Sequence, residues 1–202
     1  MEAAHGAMLA EYLGNRLRAG DKVVTITTPM IESKAVQLGG FKGVADEYKL
    51  NIVQNLQYQF SGDPVQWAYD QVTNTLLADQ KKEIKGIYIG TDVLALSAAR
   101  AAHDRGRDDV IVVMSDDSAQ VYKEMPKLPA LQAVVAMSIN EKPLNELAFS
   151  LFDKVFKGES VPSQKWYPTL GGLMTRDKLP PPGYAYDASG GYNARKPDFA
   201  VK

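Results

Sequence analysis

The stretches IKGIYIGTDV (Ile84–Val93) and DVIVVMSDDS (Asp109–Ser118) decide the fold. Each is a short apolar run that ends in small hydroxyl and carboxylate residues and then opens a helical pattern. A buried parallel strand reads this way, because both of its faces are covered and its polar groups collect at the C-terminal end. In an open α/β sheet, ligands bind outside that end. The two stretches therefore mark where a small molecule sits before they identify it.

Outward from these stretches, helical and strand patterns alternate. His5–Ala19 reads as a helix with Met8, Leu9, Tyr12, Leu13 and Leu17 on one face, stopped by Gly20-Asp21. Lys22–Thr28 is β-branched and reads as a strand. Ser33–Tyr48 reads as a helix with Val36, Phe41, Val44, Ala45 and Tyr48 inward. Its Gly39-Gly40 pair costs roughly 1 kcal/mol per Gly against Ala, which points to close helix packing there. A strand at Asn51–Gln57 and a helix at Pro64–Ala78 follow, the helix with Val65, Ala68, Tyr69, Val72 and Leu76 at helical spacing. Ile84–Gly90 is the third strand, Asp92–Asp104 a helix, Val110–Met114 the fourth strand, Ser118–Glu124 a short helix and Leu131–Met137 the fifth strand. Strands joined by crossover helices predict an α/β fold with a doubly wound parallel sheet.

Beyond Met137 the pattern changes. Lys142–Lys157 is an amphipathic helix with Leu144, Leu147, Ala148, Leu151, Phe152 and Val155 on one face, and Lys165–Leu170 reads as a strand. One helix and one strand build no core of their own. The segment after Leu179, rich in Pro, Gly and Tyr, reads as irregular or extended.

The 202 residues are 45% hydrophobic, enough for one domain, or one domain and part of a second. A net charge of -1 gives no electrostatic reason to expect nucleic acid or an anionic membrane surface as a partner. The absence of Cys removes disulfides, thiolate nucleophiles and Cys-based metal centres. No run approaches the ~20 apolar residues of a membrane span. The start, MEAAHGAML, lacks the basic opening and apolar middle of a secretory leader, which fits a cytoplasmic chain, a trimmed one or a fragment.

Catalytic patterns find little support. A triad needs a His set against a nucleophile, and the two histidines, His5 near the terminus and His103 late on a helix, both read as solvated. GGFKG at Gly39–Gly43 lies inside a helix and is no phosphate loop. Asp116-Asp117 suits a hard cation such as Mg2+, but no Lys or Thr constellation of a phosphotransfer site accompanies it. The expectation is no catalytic residue, no metal and no cofactor.

The order of GAMLAEYLGNRL, KVVTI, AVQLGGFKGVADEY, NTLLAD, IKGIYIGTDVLALSAARAAHDRGRDDVIVVMSDD and LQAVVAMSINEKPLNELAFSLFDKVFKGE resembles the C-terminal part of periplasmic solute-binding proteins of the ribose/galactose type, over roughly residues 6–176. The resemblance is most specific at Gly40-Phe41, Gly90–Ala98 and Phe156–Glu159. It implies one lobe of a two-lobed fold, with 6–137 as the ligand-binding lobe, 138–176 as a helix and strand that complete a first lobe, and 177–202 as a tail. It also implies a receptor that captures a sugar or polyol for an ABC permease in the periplasm. The alternative it leaves open is a ligand-sensing domain of a signalling receptor or lac-repressor-type regulator.

The resemblance carries over residue by residue. Thr28 and Gln37 match positions that contact the sugar, the latter often Arg in the family. The loop Phe60–Pro64 matches a place where an aromatic ring packs on the sugar face, with Pro64 at the matched position and Phe60 and Trp67 nearby. Thr91 matches a position usually held by Asn, Asp116 a carboxylate that binds sugar hydroxyls, and Met137 a hinge-side polar residue. Read by their own chemistry, Asp116 suits vicinal hydroxyls through charge-assisted hydrogen bonds. Asp117 and Ser118 read equally well as helix caps, Asp92 reads as an N-cap, and Trp67 as a partly packed surface ring. The amphipathic helix within 142–157 presents an apolar face that a second copy of the chain would cover in a homodimer.

Overall fold

The computed structural model describes residues 2–136, 141–161 and 172–179. Six strands form one sheet in the order β2-β1-β3-β4-β5-β6. They are β1 Lys22–Thr27, β2 Asn51–Gln57, β3 Ile84–Ile89, β4 Ile111–Ser115, β5 Leu131–Ala136 and β6 Gly172–Thr175. The first five pair in parallel, and β6 runs antiparallel to β5 at the edge. The helices are α1 Glu2–Gly14, α2 Glu32–Glu47, α3 Pro64–Ala78, α4 Asp92–Asp104, α5 Ala119–Glu124 and α6 Glu141–Phe156.

Alternation along the strands divides the core. Val23, Tyr88, Val113, Ala133 and Val135 face α1 and α2, where they meet Leu9, Leu13, Leu38 and Phe41. Val24, Ile26, Ile87, Ile89, Val112, Met114 and Val134 face α3 and α4, where they meet Ala68, Val72, Leu94 and Ala98. Both faces of the central strands are thus covered, as their continuous apolar runs require. The doubly wound sheet expected from the sequence is present, extended by the antiparallel edge strand.

Two local devices set the helices. Asp63 accepts a hydrogen bond from the Val65 N–H at 2.8 Å and Pro64 opens α3, a cap followed by a residue whose missing N–H costs nothing there. Gly6 and Gly40 let α1 and α2 touch backbone to backbone, since a Cβ on either would overlap a carbonyl oxygen of the other helix, Gln37 or Ala3. Gly39, by contrast, has open space around it, so half of the Gly39-Gly40 pair serves the close packing. Val36, expected inward, is exposed, as is Val65.

At the N-terminal end of the sheet, buried Arg107 donates to Asp109 Oδ1 at 2.8 Å, Asp79 Oδ2 at 3.1 Å and the Ile84 carbonyl at 2.8 Å. Asp79 also accepts the Glu83 and Ile84 N–H groups, each at 2.9 Å. This network pins the starts of β3 and β4 and leaves the opposite end for the site.

The last described segment belongs to this sheet. Gly172–Thr175, within the 138–176 segment, pairs with Ala133–Ala136 of β5. Met174 is fully buried in the core, and Arg176 donates to the carbonyls of Met125, Pro126 and Leu128. Burial of one methionine and capping of three carbonyls outweigh the shortness of the strand. The strand expected at Lys165–Leu170, residue Met137 and the tail from Pro180 onward lie outside the described residues.

Candidate functional site

Register builds the site. Ile26 stands beside Ile89 across β1 and β3, and Ile89 beside Met114 across β3 and β4. Thr27 and Ser115 end β1 and β4, and Thr28, Gly90-Thr91 and Asp116 follow β1, β3 and β4 directly. Three of the sequence-predicted site residues, Thr28, Thr91 and Asp116, therefore stand just past the C-terminal ends of neighbouring strands, which run about 4.8 Å apart. The hydroxyls of Thr27, Thr28 and Thr91 are buried without a hydrogen-bond partner among the described residues.

Asp116 is reached from the side by α2. Lys34 Nζ donates to Asp116 Oδ2 and, at 3.3 Å, to Gln37 Oε1, while Gln37 Nε2 donates to Glu2 Oε2 at 2.5 Å. The Lys34 side chain is only 8% exposed and that of Asp116 27%. Burial raises the Asp116 pKa, the Lys34 charge opposes that rise, and Asp92 and Asp117 reinforce it. Asp116 also adopts a left-handed backbone, φ 74°, a conformation that Asp tolerates better than most residues. It does so directly after β4, at a strand end, where strained functional residues collect.

The Tyr88 hydroxyl is 3.2 Å from Ser115 Oγ. Burial, against the Ser115 hydrogen bond and aided by the Asp116 and Glu2 charges, pushes its pKa up to about 12, so it stays a neutral phenol. His5 is buried too, 1% exposed, with Nδ1 3.7 Å from Glu2 Oε2. Burial lowers its pKa and Glu2 opposes that shift. The reading of His5 as solvated is corrected: helix α1 lies flat against α2 through Gly6, and His5 is drawn under the contact. His103 is exposed and pairs with Asp108 at 3.0 Å.

Thr28, Gln37, Thr91 and Asp116 thus gather at the strand ends. Phe60, Pro64 and Trp67 form a second group in the loop after β2 and at the start of α3. Tyr58 braces that loop by donating to the Gly62 carbonyl at 2.7 Å, and its ring lies 5.4 Å from Phe60 and 5.2 Å from Trp67. Phe60 is 54% exposed and left-handed, φ 55°, an outlying conformation for a bulky residue. Strand β2 is three strand spacings from β4, about 14 Å, so this group flanks Asp116 at a distance.

Capping is redistributed relative to the sequence reading. Thr91, not Asp92, is the N-cap residue of α4, and its hydroxyl makes no cap bond. Ser118 caps α5 by accepting the Val121 N–H at 3.3 Å, and Asp117 accepts from the Tyr122 hydroxyl at 2.7 Å. That frees neither for Asp116's role. Sequence reasoning missed Lys34 and Thr27. A signal for Lys34 was present, since Lys34, Gln37 and Phe41 fall at i, i+3 and i+7 on one helix face. Among the described residues no cluster of His, Cys, Asp and Glu is arranged to hold a metal ion.

The fold is that of one lobe of a type I periplasmic-binding protein. No protein-family profile matches the chain. It is 30% identical over 123 residues to the D-ribose/D-allose-binding protein of Pseudomonas aeruginosa, covering 59% of this chain and 36% of that protein. It is 28% identical over 166 residues to the ribose import binding protein of Escherichia coli, covering 81% of this chain and 52% of that protein. Among solved structures, an ABC transporter solute-binding protein from Agrobacterium vitis with bound allitol superposes with a TM-score of 0.75 at 23% identity, over 88% of this chain and 61% of that one. Each is a binding protein by name. The chain spans about half the length or less of these two curated relatives.

Proposed function

We propose that this chain is the second lobe of a periplasmic receptor that captures a sugar or polyol for an ABC permease. The observation that carries the reading is that Thr28, Thr91 and Asp116 follow the C-terminal ends of neighbouring β1, β3 and β4, two threonine hydroxyls without a partner among the described residues and one half-buried carboxylate. Hydroxyl groups of a polyol supply both the donors Asp116 accepts and the partners the threonines lack. Phe60, exposed on strained backbone, is the aromatic wall for the apolar face of the ring, with Pro64 and Trp67 supporting it. Met137 is assigned the hinge-side position. The names of the relatives, for ribose, allose and allitol, support the ligand class, and their place in ABC transport supports both the permease partner and the periplasmic location.

In this reading residues 6–137 with the 172–175 strand form the lobe, and the α6 segment reaches toward another surface. Phe149, Phe152, Val155 and Phe156 are exposed on α6, and a second copy of the chain or a first lobe covers them. A half-site leaves one face of the sugar wet, so the chain alone binds sugars weakly. Titration of the chain with a panel of pentoses, hexoses and polyols tests both points. Weak binding abolished by Asp116→Asn supports the reading. No binding by any polyol overturns the ligand class, and micromolar binding by this chain alone contradicts the half-site.

A further inference from the structure

We propose that Lys34 and Asp116 together read one vicinal diol of the ligand, with Lys34 as a specificity-determining residue that donates to one oxygen while Asp116 accepts from its neighbour. The inference rests on the polyol-binding reading above and adds to it the group that selects among polyols.

Lys34 sits in the first turn of α2, where a lysine ordinarily reaches solvent, yet its side chain is buried against Asp116 and Gln37. An ammonium offers three N–H donors. Two are used, by Asp116 Oδ2 and Gln37 Oε1, and the third has no partner among the described residues. Asp116 is divided in the same way: Oδ2 is taken by Lys34, and Oδ1 accepts no hydrogen bond among the described residues. The pair therefore presents one unused donor beside one unused acceptor.

Gly90 lies next to the Lys34 stem. A Cβ there would lie 3.8 Å from both Lys34 Cδ and Thr27 Oγ1, so the lysine stem and the unpartnered Thr27 hydroxyl border the same gap. Charge-assisted partners stand about 2.7–2.9 Å apart, roughly the spacing of two gauche oxygens on adjacent carbons. One hydroxyl of such a diol donates to Asp116 Oδ1, and the adjacent oxygen accepts from Lys34 Nζ. A lone carboxylate would instead accept from both hydroxyls and discriminate between them less, because only the ion pair assigns one oxygen as donor and the other as acceptor.

The test compares wild type, Lys34→Met and Asp116→Asn in NMR titrations with D-ribose and its monodeoxy derivatives, after urea unfolding confirms that each variant is folded. Lys34→Gln, which keeps a neutral donor, replaces Lys34→Met if the latter does not fold. In wild type, at least one monodeoxy sugar binds about tenfold or more weaker than ribose, the scale of one hydrogen bond to a charged group. In Lys34→Met, ribose itself weakens by about tenfold or more and that discrimination disappears. A second readout needs no ligand: without the Lys34 charge, and with Asp92 and Asp117 still facing it, the Asp116 carboxyl carbon titrates at higher pH. If Lys34→Met binds and discriminates as wild type does while Asp116→Asn loses binding, the role of Lys34 is overturned and the polyol reading stands. If wild type binds no polyol, or Asp116→Asn binds as wild type does, both fall.

Discussion

Replacing Asp116 by alanine tests the site and the fold together. Removing one partner of a fully buried ion pair costs about 3–5 kcal/mol. Here the Asp116 side chain is 27% exposed, which reduces that to about 1–3 kcal/mol. The φ of 74° adds about 1 kcal/mol, because alanine tolerates the left-handed region less well than aspartate. Relief from burying a carboxylate, the dominant influence on its raised pKa, works the other way. The expected loss is about 1–3 kcal/mol in all. Asp116→Asn keeps an acceptor for Lys34 and the backbone preference, so it should lose less than about 1 kcal/mol. Asp116→Gly removes the strain but not the loss of the pair, and should fall between. Urea unfolding followed by circular dichroism reads these as midpoint shifts at constant slope. Equal midpoints for Ala and Asn, both within about 0.5 kcal/mol of wild type, would refute the reasoning.

Asp79 should make the chain acid-sensitive. Burial pushes its carboxyl up, but the Ile84 and Glu83 N–H groups and the Arg107 guanidinium outweigh that and hold it below 3.8. A depressed folded pKa contributes stability that is present above the unfolded value and lost as pH falls through the folded one. Wild type should therefore lose stability below pH 3.8 more steeply than Asp79→Asn, and parallel acid curves would contradict this. Gly40→Ala should lower the melting temperature sharply because its Cβ overlaps the Ala3 carbonyl, whereas Gly39→Ala, in open space, should be neutral or gain up to about 1 kcal/mol; equal effects would remove the close-contact argument. If α6 pairs with a second copy, Phe152→Glu should shift sedimentation from dimer to monomer, and a wild type that is monomeric at all concentrations rules that pairing out.

Much of the fold was legible because its punctuation is local. Asn51–Gln57, Pro64–Ala78 and Asp92–Asp104 fall where the sequence predicts, since Asp63-Pro64 opens one helix and the aliphatic runs leave strands no other choice. Thr28, Thr91 and Asp116 follow the C-terminal ends of three neighbouring strands for the same reason. What periodicity does not carry is partnership across the chain. Lys34 and Asp116 are 82 positions apart, and His5 is buried by a glycine-mediated helix contact that its own neighbours do not announce. Strand β6 is not legible in the sequence, because four residues without a strong pattern join the sheet through Met174 and Arg176 rather than through intrinsic preference.

The central claim is that a polyol binds at the C-terminal ends of β1, β3 and β4, and a map of backbone amide shifts on adding D-ribose or allitol tests it most directly. The account predicts shifts concentrated at Thr28, Gly90, Thr91, Ser115 and Asp116, which vanish in Asp116→Asn. Shifts confined to the shallow grooves along β2, around Val53 and Gln54, with none at the strand ends, would contradict it.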